Sequence, residues 1–407
     1  MASGINPFRT LQRHRNFRLF WFGQTLSLMG TWMQSMAQGW LALELSNNAF
    51  LVGLVASAQS LPVLALSLPA GVLVDRTDKL RVVKVCQTLL GLEAGALWWL
   101  TWSNHVTIGW LVTMAAVNGA ISAVEIPARQ SLMIELVGRE DLRDAIALNS
   151  SGFNLARIVG PGIAALVIAN LGIAWCFGVN ALSYVTVLIG LFMITLPEWM
   201  PNEQRASAWQ GMKEGVRYMS NTPTIAALMV IVTVYSVFGV PYLTLMPVVA
   251  RDLLHLGASG YGVLLACVGV GGVTGALTLA SVGDRFPRRK LLFGASLAYA
   301  LLLILFSLVR APWLASSLLL AVGFTMIMNN ALSNALLQHL VPDALRGRLM
   351  AAYSLVVVGL SQVVGSFLAG AVARAVGADW AIGGGGAIML LYSWWAFSRQ
   401  RSLRALT

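Results

Sequence analysis

Along the 407 residues, long apolar runs alternate with short charged segments. Twelve runs of about 20 residues are long enough to cross a bilayer. They fall near 18–45, 50–74, 82–101, 107–127, 145–169, 173–196, 224–249, 261–282, 291–309, 313–338, 349–373 and 379–397. In hydrocarbon a chain must satisfy its own backbone, and runs of this length do so as helices. The pattern predicts an all-α polytopic membrane protein with twelve spans. No cleavable secretion signal is expected, because the first apolar run is a full span behind a basic start.

The polar punctuation repeats. Spans 2 and 3 are joined by Gly71-Val-Leu-Val-Asp75-Arg76-Thr-Asp78-Lys79-Leu80-Arg81, and spans 8 and 9 by Ala280-Ser-Val-Gly-Asp284-Arg285-Phe-Pro-Arg288-Arg289-Lys290. Each has small residues, an acid, then a burst of base. A second repeat starts spans 5 and 11, at Leu142-Arg143 and Leu345-Arg346, and its register sets Gly162 opposite Gly365. These repeats divide the chain into two pseudo-symmetric six-helix bundles, 1–200 and 223–407. The linker 201–222 contains Trp209-Gln-Gly-Met-Lys213-Glu214-Gly-Val-Arg217-Tyr218-Met219, an amphipathic pattern suited to the membrane surface or to a plain tether.

Composition sharpens this picture. Apolar residues make up 57% and charged residues 11%, where a soluble domain carries about 25% charged residues; mean hydropathy is +0.75. The net charge of +11 invites a nucleic-acid reading, but its distribution argues for topology. Of 27 Lys and Arg, 23 lie on the side of the two termini, three (Arg251, Arg310, Arg374) lie in opposite loops, and Arg157 is inside a span. The positive-inside bias places both termini in the cytoplasm. Cys86, Cys176 and Cys267 share no metal-type spacing, and the four His residues are scattered, so no metal site is expected.

The charged hairpins resemble the G-x-L-x-D-R-x-G-R-K loop of the major facilitator superfamily and its echo in the second half. Asp78 stands where that family usually has Gly, Leu80 replaces a base, and Ala280 replaces the second Gly. In span 5, Ala156-Arg157-Ile-Val-Gly160-Pro161-Gly162-Ile-Ala164-Ala165 resembles G-x-x-x-G-P-x-x-G-G of exporter branches, with alanines for several glycines. Gly30-Thr-Trp32-Met-Gln34, Pro127-Ala-Arg129-Gln130 and Val341-Pro-Asp343-Ala-Leu-Arg346-Gly-Arg348 resemble the subfamily of the enterobactin exporter and macrolide-efflux proteins. The resemblance implies a bacterial cytoplasmic (inner) membrane location and export of a small molecule by alternating access, coupled to proton entry. It also implies a conformational latch: Asp75 and Arg76 against Arg346 and Arg348, with Asp284 and Arg285 against Arg143. Cofactors are expected to be none beyond the proton gradient, with a monomer the simplest state.

Polar positions inside spans are costly and usually face a cavity or partner. Span 1 carries Gln24, Ser27, Thr31, Gln34 and Gln38 at helical spacing; span 4 carries Asn118, Ser122, Glu125 and Arg129. Span 10 carries Met326, Asn330, Asn334 and Gln338, and span 7 an aromatic face of Tyr235, Phe238 and Tyr242. Spans 1, 4, 7 and 10 line the cavity in the superfamily, so Gln24, Thr31, Gln34, Gln38, Asn118, Ser122, Tyr235, Phe238, Tyr242, Met326, Asn330 and Asn334, with Asn154, are the substrate-cavity candidates; bonding helix to helix is the competing reading. Glu125, Arg157 and Glu93 are the proton-coupling candidates. Glu125 also stands at ion-pair spacing before Arg129, and Glu93 is a candidate counter-ion for Arg157. Proton-coupled exporters carry an Arg in span 4 that is absent from Ala115-Ala-Val-Asn118-Gly119.

No G-x-x-x-x-G-K-[ST] loop is present, which argues against an ATP-driven pump. The Gly269–Gly275 cluster has no strand before it and is read as helix packing. No nucleophile or acid–base set marks an enzyme. The mixture of amides, aromatics and methionines favours an amphipathic cargo such as a siderophore, macrolide or other drug. The alternative is a lysophospholipid or metabolite carrier of the same fold without proton coupling. If Asp75 closes a latch, Asp75→Asn leaves folding intact and slows transport in proteoliposomes; turnover at the wild-type rate removes the latch.

Overall fold

The computed structural model describes residues 7–196, 217–282 and 286–399, and the elements among them are helical. After a short helix, Pro7–Arg13, the spans are α1 (Arg15–Ser46), α2 (Ala49–Asp75), α3 (Lys79–Trp102), α4 (Ile108–Val137), α5 (Leu142–Leu171) and α6 (Ala174–Phe192). The second half holds α7 (Pro223–Leu253), α8 (Ala258–Val282), α9 (Arg288–Leu308), α10 (Pro312–Leu340), α11 (Asp343–Ser354 continuing to Val376) and α12 (Ala378–Arg399). Nine of these helices are long and apolar enough, by length and composition, to cross a membrane. The proposed linker helix, 201–222, lies outside the described residues up to 216.

Local chemistry sets the turns. Asn47 takes a left-handed conformation at the end of α1, with φ 49°. The Asn48 side chain then accepts from the Phe50 backbone and starts α2. Asp78, unusual for the resembled loop, caps α3 by accepting from the Arg81 N–H. Helices α4, α5 and α11 end on Gly138, Gly172 and Gly377 at positive φ, where a side chain would be strained.

The sequence ended span 4 near Pro127, but α4 continues ten residues to Val137. Its extension is amphipathic rather than wholly apolar. Leu132, Met133 and Leu136 are buried with Phe17, Phe20, Leu80 and Leu148. This core lies at the basic-loop end of the first half and is separate from the main one. The main core runs through the second half and joins it to the opposite end of the first, through residues such as Met36, Trp40 and Val52.

Helices approach where glycines remove side chains, as association in lipid requires. A Cβ on Gly119 of α4 would fall on the Gln59 carbonyl of α2. The second half repeats the device: Gly271 of α8 faces the Leu320 carbonyl of α10. Helix α5 meets α1 at Gly160, where a Cβ would lie 2.7 Å from Trp32 Cβ; α11 meets α7 at Gly365, 2.6 Å from Pro241 Cγ. The register partner of Gly365, Gly162, has nothing within 4 Å, so Gly160 makes the equivalent contact.

Between the halves, α2 meets α11 at Gly53 and Gly370, and α5 meets α8 at Ala165 and Gly262. At the end opposite the basic loops, Arg251 of α7 donates to the Leu43 carbonyl at 3.3 Å and to Asn47. Exposed tryptophans ring that same end in both halves: Trp99, Trp102 and Trp110 in the first, Trp313 and Trp380 in the second. Trp394 and Trp395 are exposed near the other end of α12.

Gly119→Val is expected to cost about 1–3 kcal/mol through overpacking. Gly71→Ala, at a position with nothing within 4 Å, should leave thermal unfolding in detergent unchanged. Equal unfolding temperatures for both variants and the wild type would refute the packing account.

Candidate functional site

The polar stripes of α1 and α4 turn inward to the first half, where α3 supplies a carboxylate. Gln34 Nε2 donates to Glu93 at 3.3 and 3.1 Å, and Asn118 Nδ2 donates at 3.1 Å. Asn180 of α6 donates to Gln34 Oε1 at 2.7 Å, and Gln59 of α2 to Asn118 Oδ1 at 3.0 Å. Ser122 reaches Asn118 at 3.4 Å. Five helices thus share one network, and Glu93 at its centre is only 5% exposed. The sequence singled out Glu93, Gln34 and Asn118 separately but not their network, because the partners of Glu93 come from other helices. Asn180 was not singled out either, since it stands alone on an apolar helix.

A second cluster lies nearer the basic-loop end. Glu125 Oε1 accepts from Arg129 Nε at 2.9 Å, one turn along α4, and from Gln87 at 2.9 Å. Gln87 also reaches Gln24 at 3.4 Å. Glu93 and Glu125 are therefore held differently: Glu125 has a cation, whereas Glu93 is held by amides. The expected Glu93–Arg157 pair is not made; the carboxylate is taken up by Gln34 and Asn118.

These bonds give several of the cavity candidates partners within the protein. Gln24, Gln34, Gln38 and Asn118 are buried within the first half. Thr31 bonds the Ser27 carbonyl and lies 3.4 Å from Tyr184 of α6. Ser122 serves Asn118. Gln24, Gln34 and Asn118 thus have partners on neighbouring helices, as buried amides require, whereas the buried Gln38 Nε2 has none among the described residues.

The aromatic face of α7 is divided as well. Tyr235 donates to the Ser296 carbonyl of α9 at 2.8 Å and meets Ser393 of α12 at 2.8 Å. Phe238 is 36% exposed beside Gly385 of α12. Tyr242 has its hydroxyl 3.9 Å from Met326 Sδ of α10 and is within electrostatic reach of Arg157 of the first half. The cause is a π-helical turn at Tyr235–Gly239, which breaks the regular spacing and rotates successive side chains off one face.

A cavity of about 660 Å³ lies between the halves. Its walls include Asn154 of α5, Ala276 of α8, Ile327, Asn330 and Asn334 of α10, and Tyr353 of α11. Gln338 and His339 line it toward the basic-loop end. Three sequence candidates, Asn154, Asn330 and Asn334, thus come together; Tyr353 was missed because α11 carries no polar stripe. Gln338 donates to Asn334 Oδ1 at 2.5 Å.

Arg157 stands one helical turn beyond the wall residue Asn154 on α5. A Cβ on Gly272 of α8 would lie 2.8 Å from Arg157 Nη2 and 3.0 Å from Ile327 Cγ1. Tyr242 is within electrostatic reach of the guanidinium. The buried Nε has no hydrogen-bond partner among the described residues.

Of the latch residues, Asp75 and Arg76 stand at the end of α2, and Arg143 is exposed at the start of α5. Asp284 and Arg285 lie outside the described residues, as do the side chains of Arg346 and Arg348. Among the described residues, no group of three or more His, Cys, Asp or Glu is placed to hold a metal ion.

A family model described as "Transmembrane secretion effector" matches residues 2–404. The multidrug efflux pump Tap of Mycolicibacterium fortuitum is 26% identical over 86% of this chain and 87% of its own length. The enterobactin exporter EntS of Shigella boydii serotype 4 is 24% identical over 83% of this chain and 81% of its own. The fold is that of a bacterial homolog of the human lysosomal transporter Spinster, solved inward-facing and unoccupied. The TM-score is 0.76, at 12% identity, over 96% of this chain and 97% of that one.

Asn118→Leu removes a donor from Glu93 and an acceptor from Gln59, and should destabilise the protein by about 1–3 kcal/mol. Asn334→Leu, in the cavity wall, should leave thermal unfolding near that of the wild type. A reversed order would mean that Asn118 is not part of the framework.

Proposed function

The chain belongs to the transmembrane secretion effector family of major facilitator transporters, and on that premise we propose that it exports an amphipathic organic molecule from the cytoplasm in exchange for protons. The observation that carries this reading is the cavity between the halves. It lies toward the basic-loop end, which the positive-inside bias assigns to the cytoplasm. Its volume of about 660 Å³ suits a drug-sized molecule, for which sites run to about 300–1,000 Å³.

At the opposite end the halves are joined through Gly53, Gly370 and the Arg251 contacts. A cavity on one side and a joint on the other is the arrangement alternating access requires, with the site between repeated halves. The efflux pump and siderophore exporter among the relatives support outward movement. Amide groups of Asn154, Asn330 and Asn334 offer donors and acceptors, while Ile327 and Tyr353 offer apolar surface.

Glu93 is the proton carrier in this reading. Its carboxylate is buried without a cation and is held by two neutral amide donors, Gln34 and Asn118. Glu125, paired with Arg129, has a stabilising reason to keep its charge and is assigned a structural part. Movement of Gln34 or Asn118 during the cycle would change how well the charged form is held.

The test uses purified protein in proteoliposomes with a pH-sensitive dye, an imposed proton gradient and a panel of siderophores, macrolides and lipophilic cations. Substrate-dependent proton flux should appear with the wild type, vanish in Glu93→Gln and persist at reduced level in Glu125→Gln. Flux that survives Glu93→Gln moves the coupling elsewhere. Substrate transport without any proton flux sinks antiport and favours an uncoupled carrier.

A further inference from the structure

We propose that the cargo is an amphipathic organic anion whose oxyanion is held by Arg157, one helical turn beyond the cavity wall; this rests on the export reading above. Three helices fix the position independently. On α5, Arg157 is three residues beyond Asn154. On α8, Gly272 is four residues before Ala276. On α10, Ile327 is three residues before Asn330. Residues three or four apart share a helix face. The chain direction of each helix places Arg157, Gly272 and Ile327 one turn farther from the basic-loop end than the wall residue it follows or precedes. The guanidinium therefore lies one turn beyond the lining residues, next to Gly272, which also faces the wall residue Ile327.

The site is built for this side chain. Gly272 leaves the space that Arg157 Nη2 uses; a methyl there would lie 2.8 Å away. Guanidinium groups cannot shed their charge in proteins and carry five donors in a planar fork. Such a group in a low-dielectric setting needs an anion or several acceptors. Among the described residues no carboxylate pairs with Arg157, and its buried Nε has no acceptor. The two buried acids of the first half are committed elsewhere, Glu93 to Gln34 and Asn118, and Glu125 to Arg129 and Gln87. Among the described residues the cavity wall contains amides, alanines, an isoleucine, a histidine and a tyrosine but no acid. A cation placed there would meet Arg157 with nothing to offset it. An oxyanion would accept from the guanidinium fork, with Asn154 and Asn330 amides beside it and its apolar body against Ile327 and Tyr353.

The experiment uses the full chain in lipid nanodiscs and three fluorescent probes: dansylaminoundecanoate, its methyl ester and its trimethylammonium counterpart. Binding is read by energy transfer from protein tryptophans. The wild type should bind the carboxylate at least about tenfold more tightly than either other probe, the scale of one charge-assisted hydrogen bond. Arg157→Gln should remove that preference while leaving the ester's affinity unchanged; Arg157→Lys should keep part of it. Gly272→Ala, which crowds the guanidinium without removing it, should weaken carboxylate binding alone.

Equal affinity for acid and ester in the wild type overturns the proposal without needing any variant. A preference that survives Arg157→Gln overturns it too. Transport of the cationic probe in proteoliposomes without the anion would sink the anion assignment and leave the export reading standing. Transport of none of the probes or of the earlier panel would remove both.

Discussion

Hydrocarbon gives apolar helices no gain from meeting one another, because lipid tails are as apolar as leucine. Everything here therefore depends on close backbone approach. Gly119 lets α4 reach the Gln59 carbonyl, Gly271 lets α8 reach that of Leu320, and Gly53 with Gly370 joins the halves. Polar bonds then act over these short distances. Asn118, one residue from Gly119, lies where Gln59 can donate to it and where it can donate to Glu93. The glycine positions the helices, and the amides fix their rotation.

The twelve rods and the duplication were legible in the sequence because period and length in lipid leave few alternatives. The site was legible only in part. Asn154, Asn330 and Asn334, candidates from the sequence, line the cavity. The stripes of α1 and α4 turn inward instead: a polar stripe shows that a face needs partners and cannot say whether protein or cargo provides them. For Gln34 the partners are Glu93 and Asn180, which are distant in sequence and sit on otherwise apolar helices. Tyr235 and Phe238 were misplaced for another reason: the spacing rule assumes a regular helix, and α7 has a π-helical turn at those residues. Span 4 looked short because its last ten residues pack by an amphipathic face rather than lying in lipid.

The two unusual ionisable groups fall on opposite sides of one division. Glu93 is enclosed within the first half, whereas Arg157 stands on α5 against α8, where the halves meet. A change of charge on Glu93 acts on the packing of one bundle. A change in what Arg157 faces acts on the contact between bundles. Both lie on helices attached to α1, through Gln34 in one case and Gly160 in the other, so α1 is the physical link between the two.

The tryptophans ringing one end give the bilayer a say in the motion. Trp99, Trp102 and Trp110 of the first half, and Trp313 and Trp380 of the second, are exposed at the same end, and indoles favour the headgroup level. Neither bundle can rise or sink past its partner without dragging indoles into oil or water. A separation at that end is left with tilting about a line in the membrane plane. A thicker or thinner bilayer, which changes the preferred tilt of each bundle, would then shift the balance between the two faces without touching a single residue of the site.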